Sequence, residues 1–153
     1  MRHRRTVIFI FAGYCALMAW LLFGRERFEA PMGYWNQVLE NINPLPFETI
    51  IRFVKVLLYE DSAGLRSHAV INLVGNVVMF LPLGFFPALL WERFRSLWRC
   101  VLWGGGIIVC VELIQLFMLV GNCDFDDLLL NVVGIALGYG VFVLVSRKGR
   151  SGK

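Results

Sequence analysis

The chain has 153 residues, of which 58% are hydrophobic, and a formal net charge of +4 at pH 7. Soluble domains contain about 45–50% apolar residues, and a chain of this length cannot bury so large an excess in one water-soluble core. The composition therefore excludes an ordinary soluble protein and predicts an all-α integral membrane protein.

Four segments are long and apolar enough to cross a bilayer, since a spanning helix needs about 20 such residues. We predict a single membrane domain, residues 1–153, built as a four-helix transmembrane bundle; its spans lie at about 6–23, 69–91, 100–120 and 128–146. A cleaved signal peptide is the alternative for the first segment. Its apolar run is long and no A-x-A site follows, so we expect a retained span.

The connector between the first two spans contains an amphipathic segment, PFETIIRFVKVLLY, at about 46–59. Glu48, Arg52 and Lys55 share one helical face, and apolar residues occupy the others. This pattern predicts an interfacial helix on the outer membrane surface, either as a lid over the bundle or in contact with a ligand. The rest of the connector, 24–45, is expected to be irregular.

The distribution of charge predicts the orientation. Arginines precede the first span and separate the second from the third, and a basic tail follows the fourth. The turn GNCDFDD (121–127) has three aspartates and no basic residue. Because basic short loops remain in the cytoplasm, we expect a bacterial cytoplasmic membrane protein with both termini inside and this turn outside. The basic clusters would meet membrane lipids, and nucleic acid is not expected as a partner.

Five polar side chains fall within the apolar segments, in the half nearest the aspartate turn: Asn72, Asn76, Glu112, Gln115 and Asn131. Their expected depths are about 5–12 Å, from a helical rise of about 1.5 Å per residue. Polar groups facing lipid cost several kcal/mol each, so we expect these faces to turn toward each other. An acid at mid-helix costs about 3 kcal/mol to insert, which makes Glu112 the leading functional candidate.

The turn adds three further candidates, Asp124, Asp126 and Asp127. One or two of them are expected to cap the fourth span, and the remainder to contact a ligand or cation at the mouth of the polar cluster. No metal site is predicted, because the chain has no C-x-x-C pair, only two histidines and no EF-hand spacing. No cofactor is expected.

Small residues and a proline are candidates for helix packing. Gly75 and Gly134 would allow close approach, and Gly134 with Gly138 forms a G-x-x-x-G pair, which suits packing within the bundle or in a homodimer. Pro82 is expected to kink the second span, and Gly84 follows it in the same helix.

Three blocks resemble the VanZ-like family of small bacterial membrane proteins: INPLPFETI (42–50), NLVGNVVMFLPLGFFP (72–87) and ELIQLFMLVGNCDFDDLLLNVVGIALGYG (112–140). They carry the family's pattern of N-x-x-G-N, P-x-G, E-x-x-Q, D-x-D-D and N-x-x-G, which covers all the polar candidates above. The family often has a basic residue before the aspartates, where this chain has Asn122 and Cys123.

The resemblance implies a role in the cell envelope, in tolerance of lipophilic glycopeptide antibiotics of the teicoplanin type. The polar cluster suits a non-enzymatic site for an amphiphile, either such an antibiotic or a lipid-linked wall precursor. One alternative is an intramembrane enzyme with Glu112 as acid or base, helped by the aspartates or His68, although no G-x-S-x-G or H-E-x-x-H motif occurs. The other is a structural or accessory subunit whose polar groups only pack helices.

Overall fold

The computed structural model describes residues 2–24 and 33–151 of the chain. Within these ranges it forms six α-helices: α1 (Arg2–Phe23), α2 (Tyr34–Glu40), α3 (Glu48–Tyr59), α4 (Ala63–Leu90), α5 (Leu97–Met118) and α6 (Phe125–Ser151). A short 3₁₀ helix, Glu92–Phe94, joins α4 to α5, and two-residue strands β1 (Ile42–Asn43) and β2 (Cys123–Asp124) pair in parallel. The predicted all-α bundle is confirmed.

Four of the helices, α1, α4, α5 and α6, are long and apolar enough to cross a membrane. Their ends differ from the predicted ones: α4 begins at Ala63 rather than near residue 69, and α6 begins at Phe125 rather than near residue 128. Hydropathy identifies only the part of a helix that suits hydrocarbon, whereas backbone hydrogen bonding continues into the polar flanks.

The connector expected to be irregular contains α2, whereas its residues 25–32 lie outside the described part of the chain. Tyr34 donates a hydrogen bond from its hydroxyl to the carbonyl of Phe117, 2.9 Å away, and Val38 packs in a small core with the end of α5. A helix of seven residues is marginal by itself, so these contacts with α5 account for its presence.

Helix α3 matches the predicted amphipathic segment but begins at Glu48, because Phe47 adopts the left-handed conformation with φ 67°. The helix packs on α4. Ile51, Val54 and Leu58 remain exposed on its other side. An apolar face left uncovered by the bundle suits a helix that lies against lipid.

Helices α4 and α6 run parallel and make the most extensive contact in the bundle. A Cβ on Gly138 would overlap the carbonyl of Leu81 in α4. Gly84 lies on the opposite side of the same contact, where a Cβ would overlap the carbonyl of Ile135, and a Cβ on Gly134 would overlap the carbonyl of Val77 in α4. These glycines let the two backbones touch. Because both members of the G-x-x-x-G pair face α4 of their own chain, they are not available to a homodimer interface.

The other two packing candidates are placed differently. A Cβ on Gly75 would have only one neighbour within 4 Å, the Ile71 side chain of the same helix at 4.0 Å, so this glycine does not mediate a close helix contact. Pro82 lies inside α4, and the helix continues without a break to its end at Leu90. Beside it, the Tyr14 hydroxyl donates a 2.8 Å hydrogen bond to the carbonyl of Met79, which ties α1 to α4.

The two ends of the bundle differ in charge. The aspartate end carries α2, α3, the two strands and the start of α6. The arginine end carries the start of α1, the turn from α4 to α5 with Arg93 and Arg95, and the end of α6. Between them, α4, α5 and α6 enclose an apolar core in which Phe80, Ile108 and Ile135 are buried.

Candidate functional site

A cavity of about 560 Å³ lies at the aspartate end, among α3, α4, α5 and α6. We call it the polar cavity. Seven of the eight predicted site residues line it: Asn72, Asn76, Glu112, Gln115, Asp124, Asp127 and Asn131. The structure thus brings polar groups from three spans to one space. Its apolar wall includes Phe80 and Ile108 of the core.

Two amide oxygens of the polar cavity have no hydrogen-bond partner in the part of the chain that the structure describes. Asn131 is 3% exposed, and its Oδ1 atom has no hydrogen-bond donor among the described residues. The same holds for Oδ1 of Asn72 on α4. A buried acceptor without a partner costs about 1–3 kcal/mol. Such an acceptor is satisfied when a water molecule, an ion or a ligand donor occupies the cavity beside it.

Other candidates connect the helices around the cavity. Asn76 on α4 donates from Nδ2 to Oδ1 of Asp127, 2.7 Å away in the first turn of α6. The positive end of the α6 dipole favours a carboxylate there. Gln115 donates from Nε2 to the carbonyl of Leu22 at 2.8 Å, which satisfies one of the open carbonyls at the end of α1.

Asp124 joins the start of α6 to the connector. Its Oδ1 accepts a 2.8 Å hydrogen bond from the backbone N–H of Asp126, so it caps α6 as predicted. Its Oδ2 accepts hydrogen bonds from the Thr49 hydroxyl at 2.6 Å and from Nδ2 of Asn43 at 3.3 Å. The pairing of β1 with β2 places Asn43 opposite Asp124.

Asp126 lies outside the polar cavity and caps a different helix. Its carboxylate is fully buried and accepts hydrogen bonds from the backbone N–H groups of Phe47, at 2.6 Å, and Ile50, at 3.0 Å. These donors are the N-cap residue and the first turn of α3, and the N-cap residue provides no side-chain hydrogen bond of its own. Asp126 therefore fastens the connector helix to the membrane bundle.

A positive charge reaches the polar cavity from α3, which the sequence did not assign to the site. Arg52 lines the cavity and donates from Nη2 to the Thr49 hydroxyl at 3.3 Å, and its guanidinium lies 5.5 Å from the ring centre of Phe53. That ring also packs against His68, with centroids 5.7 Å apart. Within the described ranges no carboxylate forms an ion pair with Arg52.

The family's basic residue is absent from the turn, but Arg52 provides a cation at the same end of the bundle. Its place on the polar face of α3 was visible in the sequence. Its position over the cavity depends on how Asp124 and Asp126 hold α3, and no local pattern contains that information.

Glu112 borders two spaces of opposite character. Besides the polar cavity it lines a smaller, apolar cavity of about 220 Å³, together with Leu113, Cys123 and Leu128. Burial, reinforced by the negative charges of Glu112 and Asp124, raises the pKa of the Cys123 thiol. The charge of Glu112 on α5 therefore affects the ionisation of a residue in the aspartate turn.

The polar cavity is rich in acceptors, with three carboxylates and several amides, and has a guanidinium and an imidazole at α3 and the start of α4. It is therefore suited to a polar group that donates hydrogen bonds and that also carries a negative charge for Arg52. In the part of the chain that the structure describes, no group of three His, Cys, Asp or Glu residues could hold a metal ion.

Comparison with protein families gives one finding that covers most of the chain. Residues 11–146 match the family model described as VanZ/LLP1. This range contains every predicted site residue, the connector and the four spans except for the outermost turns of α1 and α6. No curated protein and no solved structure matches the chain. The resemblance inferred from the three sequence blocks is thereby confirmed, and the protein belongs to the VanZ/LLP1 family.

Proposed function

We propose that this VanZ-like membrane protein binds an amphiphile at its aspartate end, with the polar head in the polar cavity and the tail in lipid. The observation that carries the proposal is the cavity itself, where six polar residues from three apolar spans meet Asp124 of the aspartate turn. Membrane helices bury such groups where they bind or move something, because their insertion is costly.

The residues that line the polar cavity indicate the chemistry of the amphiphile's polar head. The open amide oxygens of Asn72 and Asn131 require donors, such as hydroxyl or amino groups. Arg52 at the mouth favours an acidic group, such as a phosphate or carboxylate. A glycopeptide with a fatty tail, or a lipid-linked wall precursor, combines these features in one molecule.

We place the protein in the bacterial cytoplasmic membrane, with the polar cavity open to the outer side and both termini in the cytoplasm. The support is the excess of basic residues at the arginine end, which includes Arg93, Arg95, Arg99 and Arg147. In this orientation the cavity meets lipophilic antibiotics and wall precursors where they enter or assemble. Binding there gives tolerance to teicoplanin-type antibiotics.

The test is the susceptibility of a bacterial host that expresses the protein. We expect wild type to raise the inhibitory concentration of a glycopeptide with a fatty tail, but not of one without it. Glu112→Gln should abolish this protection, since it removes the acid from the cavity wall. Glu40→Gln, at an exposed position of α2, is the matched control and should retain protection at equal membrane abundance.

Other outcomes would support the rivals. Protection retained in Glu112→Gln, together with a lower melting temperature for Asn131→Leu, would favour a purely structural role for the polar groups. His68 lines the same cavity as Glu112, so an enzyme remains the second candidate. It would be favoured if the purified protein turned over a labelled lipid-linked precursor and Glu112→Gln did not.

A further inference from the structure

A second cavity, of about 880 Å³, lies at the arginine end between the start of α1 and the turn that follows α4. We call it the basic cavity. Arg4 of α1 and Arg93 and Arg95 of the turn line its polar side. It shares no lining residue with the polar cavity and lies at the other end of the bundle.

The charge of the basic cavity is largely uncompensated. Glu92 is its acidic lining residue, and this carboxylate pairs with Arg95 at 3.3 Å. Neither Arg4 nor Arg93 has an ion-pair partner among the described residues. The guanidinium of Arg93 lies 4.7 Å from the ring centre of Phe94, which helps to hold it. Two arginines are thus available to an anion.

The opposite wall is apolar. Val7 of α1 and Leu89 and Leu90 of α4 line it, and each belongs to a helix that can cross the membrane. Trp91 stands beside them at the end of α4, the position where tryptophan commonly marks the membrane surface. A basic rim that continues into an apolar wall is complementary to a molecule with an anionic head and hydrocarbon chains.

The turn that carries the arginines is held in place by the bundle. Phe94 is 6% exposed and packs on Trp103 of α5, with ring centres 4.8 Å apart. Tyr139 of α6 donates a hydrogen bond from its hydroxyl to the carbonyl of Arg95 at 2.8 Å. The backbone of the site is therefore fixed before any ligand arrives, which lowers the ordering cost of binding.

We propose that the basic cavity binds an anionic phospholipid from the leaflet at the arginine end. The phosphate lies between Arg4 and Arg93, where guanidinium groups donate paired hydrogen bonds to its oxygens. The acyl chains run along Val7 and Leu89. This lipid site is independent of the amphiphile at the aspartate end.

The test measures binding of fluorescent phosphatidylglycerol and phosphatidylcholine to the full chain in detergent. We expect wild type to bind phosphatidylglycerol about tenfold more tightly or better, since the two arginines attract a headgroup with a net negative charge and phosphatidylcholine has no net charge. Arg4→Gln with Arg93→Gln should remove this preference. Arg99→Gln with Arg147→Gln removes the same charge outside the cavity and should preserve it.

Three outcomes would overturn the proposal. One is an equal loss in both double variants, which would indicate unspecific attraction. Another is the absence of any preference in wild type. The third is displacement of phosphatidylglycerol by inorganic phosphate alone, which would assign the site to a free anion. Arg4→Lys with Arg93→Lys keeps the charge and should retain most of the preference, provided that all variants melt as wild type does.

Discussion

Glu112 stands where the polar cavity and the small apolar cavity adjoin, and its side chain is only 8% exposed. In the proposed function, its carboxyl group would contact the polar head of the amphiphile, whereas apolar residues surround the space on its other side. The negative charge of Glu112 is one of the causes that raise the pKa of the Cys123 thiol. That thiol is therefore a native probe of the site.

We predict that Cys123 reacts slowly with water-soluble iodoacetamide at about pH 8, because burial and the charges of Glu112 and Asp124 raise the pKa of its thiol and thiolate is the reactive form. Glu112→Gln removes one negative charge, so the pKa should fall and the rate at this pH should increase. The measurement is the alkylation rate against pH, with the other three cysteines changed to alanine.

Glu40→Gln should leave that profile unchanged, because the side chain of Glu40 is exposed at the end of α2. An unchanged or slower rate in Glu112→Gln would contradict the placement of the acid beside the turn.

Much of the polar cavity follows from depth and helical facing, which is why the five amide and acid candidates within the spans meet in the structure. The roles of the three aspartates are harder to predict from the sequence. Asp124 caps α6 as expected, whereas Asp126 caps α3, a contact between residues 79 positions apart that no local pattern encodes. Arg52 was missed for the same reason.

The connector helix α3 depends on the membrane bundle for its N-terminal cap. Asp126 accepts two backbone hydrogen bonds there, and Thr49, the second residue of the helix, bonds to Asp124. Arg52 reaches the polar cavity only while these contacts hold α3. The position of Arg52 thus depends on Asp124 and Asp126 at the start of α6.

We predict that Asp126→Asn loosens α3. The amide has one oxygen for two N–H donors and brings its own N–H groups against one of them, so the loss is about 1–3 kcal/mol. Hydrogen exchange at the Ile50 amide should accelerate, and thermal unfolding in detergent should shift to lower temperature. Asp61→Asn, exposed between α3 and α4, is the control and should change neither. Unaltered exchange at Ile50 in Asp126→Asn would show that α3 does not need this cap.

We predict that Gly138→Ala destabilises the bundle by about 1–3 kcal/mol, because its Cβ overlaps the backbone of α4 and the helices must move apart. Gly140→Ala is the matched control, since nothing lies within 4 Å of a Cβ there and alanine favours the helix. Thermal unfolding of the purified variants measures both. Equal stability of the two would refute the close contact.

The existence of the four spans could be read from hydropathy, but not their ends. Ala63 begins α4 in a polar stretch that hydropathy assigns to a loop, and α2 is too short for its periodicity to be recognised. Strands β1 and β2 pair across 81 positions, so their bridge is a product of tertiary folding. Gly75 and Gly134 share a local motif, yet only Gly134 lies at a close contact between α4 and α6.

The molecule has a chemically different cavity at each end. The polar cavity offers amides and acids, and the basic cavity offers arginines. Between them the bundle is apolar. Helix α1 is the span with the smallest share of buried residues. This asymmetry, together with basic flanks at one end, is the physical basis of the proposed orientation.

We predict that a membrane-impermeant maleimide added to intact cells labels Asn122→Cys but not Arg147→Cys, both made in a cysteine-free background. Both positions are exposed, and they lie at opposite ends of the bundle. Lysed cells, in which both should react, provide the control. Labelling of Arg147→Cys alone in intact cells would invert the orientation.

The cap that Asp126 places on α3 also imposes an order on biosynthesis. When the ribosome adds Phe47, at the start of α3, Asp126 is still 79 residues from being made. The connector must wait at the bilayer surface as a loosely attached amphipathic helix until the last span enters the membrane. Arg52 therefore takes its place over the polar cavity only when translation of the bundle is nearly finished, and a chain stalled before α6 would lack this cation.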